Sequence, residues 1–372
     1  MTPAFLRNRH EPDKFFLVLT LFLVVAGLLI FTSASLGLLN RDGASFAGVA
    51  FTQLVLGLGL GSLGGFVFYK VPYPLLRKIS FYLFIASILV TTLVFIRGVG
   101  IESGGAKSWI HIGSISFQPA ELLKFSFVIF FASWLGTIGD DLKTWRYGVF
   151  PALGIMAVPG ILLLLQPDHG TFLSIYASAV VMLIVAGIRW RDLAILVGIS
   201  IVLLAIIIAF KPYVLDRLTT FINPENDPYG SSYQVRQALI AIGSGGVVGK
   251  GFGQSVQKFS YLPEPIGDSI FAVLSEEFGF VGSFAVIAAF FVFAARGLMM
   301  ATRSKDSFAR LAIIGLVIMI VSQSFINIGT MLGVFPLTGV PLAFISHGGT
   351  ALMFTLFEVG LILQLSRYTV KT

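Results

Sequence analysis

The chain contains no cysteine, so disulfides and thiolate metal sites are excluded and no redox compartment is marked. Charge is scarce too. Asp, Glu, Lys and Arg make up 12% of the 372 residues, about half the share in a soluble domain. No Walker A loop is present, and no glycine fingerprint stands between a predicted strand and a helix as dinucleotide binding requires, which removes the common nucleotide-binding classes. The net charge of +7 is not a nucleic-acid signal in such a chain, because basic excess in membrane proteins marks cytoplasmic loops. No nucleic-acid partner is expected.

What fills the space is apolar. The chain is 56% hydrophobic, with a mean hydropathy of +0.92. Apolar runs of span length recur along it, which indicates a polytopic membrane protein. Ten spans are predicted, near 15–32, 47–69, 79–96, 119–137, 148–166, 171–188, 192–210, 278–295, 311–332 and 348–366. Lipid gives the backbone no hydrogen bonds, so the spans must be helical. The expected fold is all-α: one membrane domain over 1–372, with a large extracytoplasmic loop, about 211–277, between helices 7 and 8. The first run is longer than a signal-peptide core, so an uncleaved first helix is expected. With the N-terminus inside, sixteen Lys and Arg fall in cytoplasmic segments against three in the short outer loops, Arg41, Arg97 and Lys107. Both termini are therefore placed in the cytoplasm. The 36 phenylalanines read as lipid contact and packing.

The remaining polar residues gather at the outer ends of the spans. The densest stretch, Tyr261 to Gly282, closes the long loop and carries Glu264, Asp268, Glu276 and Glu277. Carboxylates at a membrane edge are costly to hold, so they suggest a site. Asp268 follows Pro265-Ile266-Gly267. It suits a helix cap and, as a partly buried carboxylate, a general base. Of Glu276 and Glu277, one is expected to face a cavity and the other to pair structurally. Lys124 falls inside a span and needs a partner or a wet cavity. Glu121 lies at i−3 from it, just after Pro119 at the helix start; Glu121 reads equally as a structural ion-pair partner and as a site residue, whereas Lys124 reads first as functional. Asp168, in Gln166-Pro167-Asp168-His169, reads first as a helix cap and second as a chemical group. The loop brings Gln234, Gln237 and the run Gly243-Ser244-Gly245-Gly246. Such a run suits a phosphate cradle, although a flexible loop is the plainer reading. Asn223-Pro224 and Asp227-Pro228 mark turns in the same loop. Phe335 to Thr350, with two prolines and paired glycines, breaks the helix at membrane depth, which is tolerated where it lines a cavity.

Together these residues resemble the SEDS family (shape, elongation, division and sporulation), the RodA/FtsW group of bacterial cell-wall polymerases. The resemblance rests on Ser33-Ala34-Ser35, Gly105-Ala106-Lys107-Ser108-Trp109-Ile110, Gln118-Pro119-Ala120-Glu121 with Lys124, Gln166-Pro167-Asp168 with Gly170-Thr171, Ala241 to Gly246, Tyr261-Leu262-Pro263-Glu264, Asp268 to Gly282 and Pro336 to Gly349. Ser255-Val256-Gln257-Lys258 looks like FtsW, whereas Ala241 to Gly246 looks like RodA. The chain departs from the family at Ala120, His169, Ile266-Gly267 and His347. The resemblance implies polymerisation of lipid II into glycan on the outer face of the bacterial cytoplasmic membrane. The growing undecaprenyl-linked glycan is then the donor, and Asp268 the base. Glu121, Lys124, Asp168, Gln234, Gln237, Glu277 and Ser346 are the implied substrate contacts. Positive charge for the leaving pyrophosphate comes from Lys124, a loop arginine or a divalent cation, Mg2+ or Mn2+. A class B penicillin-binding transpeptidase and division or elongation proteins are the implied partners. A precursor flippase and a non-catalytic scaffold are the rival readings. The flippase would distribute carboxylates toward both faces, and the scaffold would tolerate changes at Asp268.

Overall fold

The computed structural model describes residues 10–40, 46–103, 106–112, 115–210, 221–222 and 232–369. Arg7, Arg9, Arg41, Lys211, Arg217, Asn223-Pro224, Asp227-Pro228 and Lys371 lie outside the described residues. The ten expected spans correspond to α1 (Lys14–Ser35), α2 (Phe46–Lys70), α3 (Tyr73–Thr92), α4 (Pro119–Ile138), α5 (Phe150–Leu165), α6 (His169–Ala186), α7 (Trp190–Phe210) and three later helices. In the long loop lies α8 (Tyr233–Ser244). The later spans are α9 (Ile270–Thr302), α10 (Ser307–Met331) and α11 (Gly349–Ser366). Among the described residues, nine helices are long and apolar enough to cross a membrane. The tenth expected span is α7, 21 residues long, close to the ~20 residues a bilayer requires.

The sequence reading placed no strands. After α3, however, the chain forms a small antiparallel meander of β1 (Gly100–Ser103), β2 (Ala106–Ile112) and β3 (Ile115–Phe117). Ile101, Trp109, Ile110 and Phe117 are β-branched or aromatic and suit a pleated surface. This sheet leads directly into the start of α4.

The core centres on α10, which packs against α4, α6 and α9. Its most apolar window is 78% buried, and that of α11 is 83% buried. Such burial explains how these two helices carry polar side chains. The main partner of α11 is α2. Gly57, Gly61 and Gly65 line one face of α2, and a Cβ at Gly65 would come within 2.6 Å of Leu356 O. This spacing of small residues permits close helix approach where hydrophobic force between helices is absent.

The eighth span starts earlier than expected, at Ile270, because α9 is two helical pieces joined at Gly279 (φ 65°, ψ −161°). The break frees helix carbonyls and N–H groups, and the loop after α8 takes them up. Lys250 N donates to Glu276 O (3.0 Å), Gly251 N to Glu277 O (2.9 Å), and Phe280 N to Gly246 O (2.9 Å). The glycine-rich stretch is thus committed to mending a broken helix.

Glu276 and Glu277 fasten the same loop. Glu276 accepts from Lys250 Nζ (2.7 Å), Ser255 Oγ (2.5 Å) and the backbone N of Val256 (3.2 Å) and Gln257 (3.3 Å). Glu277 accepts from Lys258 Nζ (2.7 Å) and from Ser33 Oγ of α1 (2.6 Å to Oε1). Lys258 is fully enclosed. Both carboxylates are therefore engaged in holding structure, and the expectation that one of them faces a cavity is corrected.

Two outcomes follow from this geometry. Gly279→Ala forces a positive φ on an L-residue and places its Cβ 2.4 Å from Gly249 N, so the apparent Tm in detergent should fall by roughly 5 °C or more. Gly243→Ala, where nothing lies within 4 Å, should leave it unchanged. Lys258→Met leaves Glu277 buried and uncompensated, a loss of about 3–5 kcal/mol. The double variant Lys258→Met/Glu277→Gln should recover most of the folded yield.

Candidate functional site

The chain before α9 is the most heavily anchored irregular segment. Gly267 N and Ser269 N both donate to Glu264 O (3.0 and 3.2 Å), closing a compact turn. Asp268 stands at its end, half-buried. Gln234 of α8 donates from Nε2 to Asp268 Oδ1 (3.1 Å) and to Ser269 Oγ (2.9 Å). Asn327 of α10 donates from Nδ2 to Asp268 O (2.7 Å) and to Val340 O (2.8 Å).

The helix-breaking stretch before α11 closes the other side. Ser346 Oγ donates to Gly267 O (2.7 Å) and accepts from Leu342 N (2.8 Å). His347 N donates to Ile266 O (2.7 Å). Gln53, in a π-helical stretch of α2, donates to Ser346 O (3.2 Å) and accepts from Gly348 N (3.1 Å). Polar groups at this depth are thus matched by the protein, as irregular backbone in a membrane requires.

A second cluster forms at the start of α4. Glu121 and Lys124 pair at 2.8 Å, both almost fully buried. Lys124 Nζ also donates to Gln323 Oε1 of α10 (2.5 Å). Gln323 Nε2 in turn donates to Pro341 O (2.9 Å). An ammonium carries three donors, so one N–H of Lys124 remains for a further partner. Two carboxylates lie within electrostatic reach of this pair, Asp168 and Glu358 of α11.

Asp168 does cap α6, its Oδ1 accepting from Thr171 N (3.0 Å). Its Oδ2 is buried without a hydrogen-bond partner. Burial raises the Asp168 carboxyl above its usual range, against the opposing pull of the Thr171 bonds and the Lys124 charge.

Of the predicted site residues, the structure gathers Asp268, Gln234 and Ser346 in one group and Glu121, Lys124 and Asp168 in another. Gln237 lies one turn further along α8, half-buried. Glu277 belongs to neither group, being enclosed with Lys258 and Ser33. The sequence reading missed Gln53, Gln323, Asn327 and Glu358. All four are polar side chains inside otherwise apolar helices and almost fully buried, which is the signal that would have found them. Among the described residues no cluster of three or more acidic, His or Cys side chains is placed to hold a metal.

Comparison with known proteins identifies the family of the chain. Residues 13–371 match the FtsW/RodA/SpoVE family, described as "Cell cycle protein". Stage V sporulation protein E of Bacillus subtilis is 37% identical over 97% of this chain and 99% of its own length. A protein of Alcanivorax borkumensis named probable peptidoglycan glycosyltransferase FtsW is 36% identical over 95% of this chain and 92% of its own. Among solved structures, a chain of a peptidoglycan synthase complex, described as coordinating polymerization and crosslinking, superposes with a TM-score of 0.79 at 27% identity, covering 97% of this chain and 99% of that one. The rod shape determining protein RodA of Thermus thermophilus superposes with a TM-score of 0.67 at 28% identity, covering 95% of this chain and 97% of that one. With a family match over nearly its whole length and relatives above one-third identity, the chain is a multi-pass membrane protein of the FtsW/RodA/SpoVE family.

Proposed function

We propose that this protein is a peptidoglycan glycosyltransferase that joins lipid II disaccharides into glycan strands on the outer face of the bacterial cytoplasmic membrane. The observation that carries the reading is the pair of polar groups at the loop-bearing end of the bundle. One presents a half-buried carboxylate, Asp268, steadied by Gln234. The other presents a buried ammonium, Lys124, with one donor uncommitted. Relatives named probable peptidoglycan glycosyltransferases match the chain in sequence over almost their full length.

In this reading Asp268 takes the proton from the 4-hydroxyl of an incoming lipid II as that oxygen attacks the anomeric carbon of the growing strand, with inversion. The bond to undecaprenyl pyrophosphate breaks, and the electron pair leaves with the pyrophosphate. Lys124, presented near the N-terminus of α4, meets the charge that develops there. Glu121, paired with Lys124 at 2.8 Å, orients it. A hydrophobic donor tail stays in lipid while its head enters between helices.

A divalent cation fits only in part. The described residues offer no metal cage, but Mg2+ commonly binds one or two carboxylates plus substrate phosphates, and Asp168 Oδ2 is an unpartnered oxygen suited to that. When bound with the pyrophosphate, Mg2+ or Mn2+ would neutralise part of its charge. We further propose that a class B penicillin-binding transpeptidase crosslinks the product, in line with the synthase complex of similar fold.

The test is polymerisation of labelled lipid II by the purified protein, with the transpeptidase added where the protein alone is silent. Asp268→Asn should lose about 10²-fold or more in turnover while retaining its melting profile; equal rates would remove Asp268 as the base. Lys124→Ala should lose roughly 10²-fold at unchanged Asp268 geometry, and wild-type turnover in that variant would take Lys124 out of the mechanism. Chelation with EDTA should slow the reaction, with Mg2+ restoring it. An EDTA-insensitive rate assigns the leaving-group charge to Lys124 alone.

A further inference from the structure

Gln323 and Asn327 lie at i and i+4 on α10, so both side chains leave one face of the helix. Each amide has a fixed sense. Asn327 Nδ2 faces two carbonyl oxygens, those of Asp268 (2.7 Å) and Val340 (2.8 Å), so the nitrogen must point there. Its Oδ1 is left buried without a partner, an unfavourable arrangement for an amide. Gln323 receives the Lys124 ammonium on Oε1 (2.5 Å) and donates from Nε2 to Pro341 O (2.9 Å). Val340 and Pro341 are neighbours in the chain. One continuous path therefore runs from Glu121 through Lys124, Gln323, the Val340-Pro341 backbone and Asn327 to the Asp268 turn.

We infer that Gln323 and Asn327 are positioning residues acting as one unit, fixing the Lys124 ammonium and the Asp268 turn in a set relation to each other. The inference rests on the proposed roles of Asp268 as base and Lys124 as the leaving-group charge. Neither amide touches the reacting atoms. Their effect comes through registry: a misplacement of about 1 Å in a reacting group costs on the order of 10²-fold in rate. A pair that served only to satisfy buried polarity would be felt in stability and not in the chemical step.

The path also accounts for the placement of the amides on one of the two most buried spanning helices among the described residues. The α10 helix packs on α4, which carries Lys124, and on α9, which begins just after Asp268. It packs more extensively on these two helices than α11 does. An amide pair on α10 sets both groups against the same helix.

The experiment uses the full-length protein and labelled lipid II, with wild type, Asn327→Ala, Gln323→Ala, the double variant and Asn327→Asp compared. Each single alanine variant should lower kcat by roughly 10–100-fold with KM changed by less than about threefold. The double variant should fall no more than about threefold below the worse single, as expected of residues that act as a unit. Asn327→Asp, which places a carboxylate beside the Asp268 turn, should move the acid limb of the pH–rate profile to higher pH. Losses that multiply in the double variant, losses confined to KM, or an unmoved acid limb would overturn the inference. So would rates that simply track the folded fraction in a melting assay. A wild type that forms no glycan even with its transpeptidase overturns the functional reading beneath it, a result distinguishable from all of these.

Discussion

Hydrocarbon offers a buried polar group no hydrogen bond, and the architecture of this bundle follows from that constraint. Polar side chains kept at depth find most of their partners within the protein, with Asn327 Oδ1 and Asp168 Oδ2 as exceptions. Asn327 and Gln323 meet the constraint by gripping the backbone of a broken segment, and Lys124 meets it with Glu121 and Gln323. The break at Gly279 meets it by borrowing the glycine-rich loop, whose N–H groups replace the next helical turn. Irregular backbone and ionisable groups therefore sit where other protein surrounds them, as the Asp268 turn, Lys124 and the Glu276–Glu277 pair do.

That constraint also concentrates chemistry at one end. The Asp268 turn, the helix-breaking stretch before α11 and the start of α4 converge because each is tied to the same face of α10. A half-buried carboxylate and an ammonium with a spare donor are thereby tied to one helix. This is what transfer of a lipid-linked sugar asks of a membrane enzyme: a base for the acceptor, positive charge for the leaving pyrophosphate, and a hydrophobic surround through which the tail can enter from the side.

Much of this was legible in the sequence. The ten spans follow from hydropathy, and their helical form from the lack of backbone partners in lipid. Asp268 and Glu121 stand out as acids at span ends and Lys124 as a charge inside a span, while Gln234 and Ser346 lie in the long loop and the helix-breaking stretch. The capping role of Asp168 was also read correctly. Other features resisted reading because they depend on long-range contacts. Glu276 and Glu277 look alike in sequence, and only the fold shows that Lys250 and Lys258 engage both. The early start of α9 was hidden because Gly279 interrupts it and the polar Glu pair lowers its apolar signal. The meander after α3 was missed because a three-stranded sheet beside a membrane leaves no hydropathy mark. Gln323 and Asn327 were overlooked because they lie within a strongly apolar run, although amides inside such a run are themselves a signal of buried partners.

The most direct measurement is an experimental structure of the protein with a lipid-linked disaccharide bound. The account predicts the pyrophosphate within hydrogen-bond distance of Lys124 Nζ, a sugar hydroxyl within that distance of the Asp268 carboxylate, and Gln323 and Asn327 keeping their present bonds. A substrate seated with its pyrophosphate away from α4, or with no sugar hydroxyl near Asp268, would contradict it.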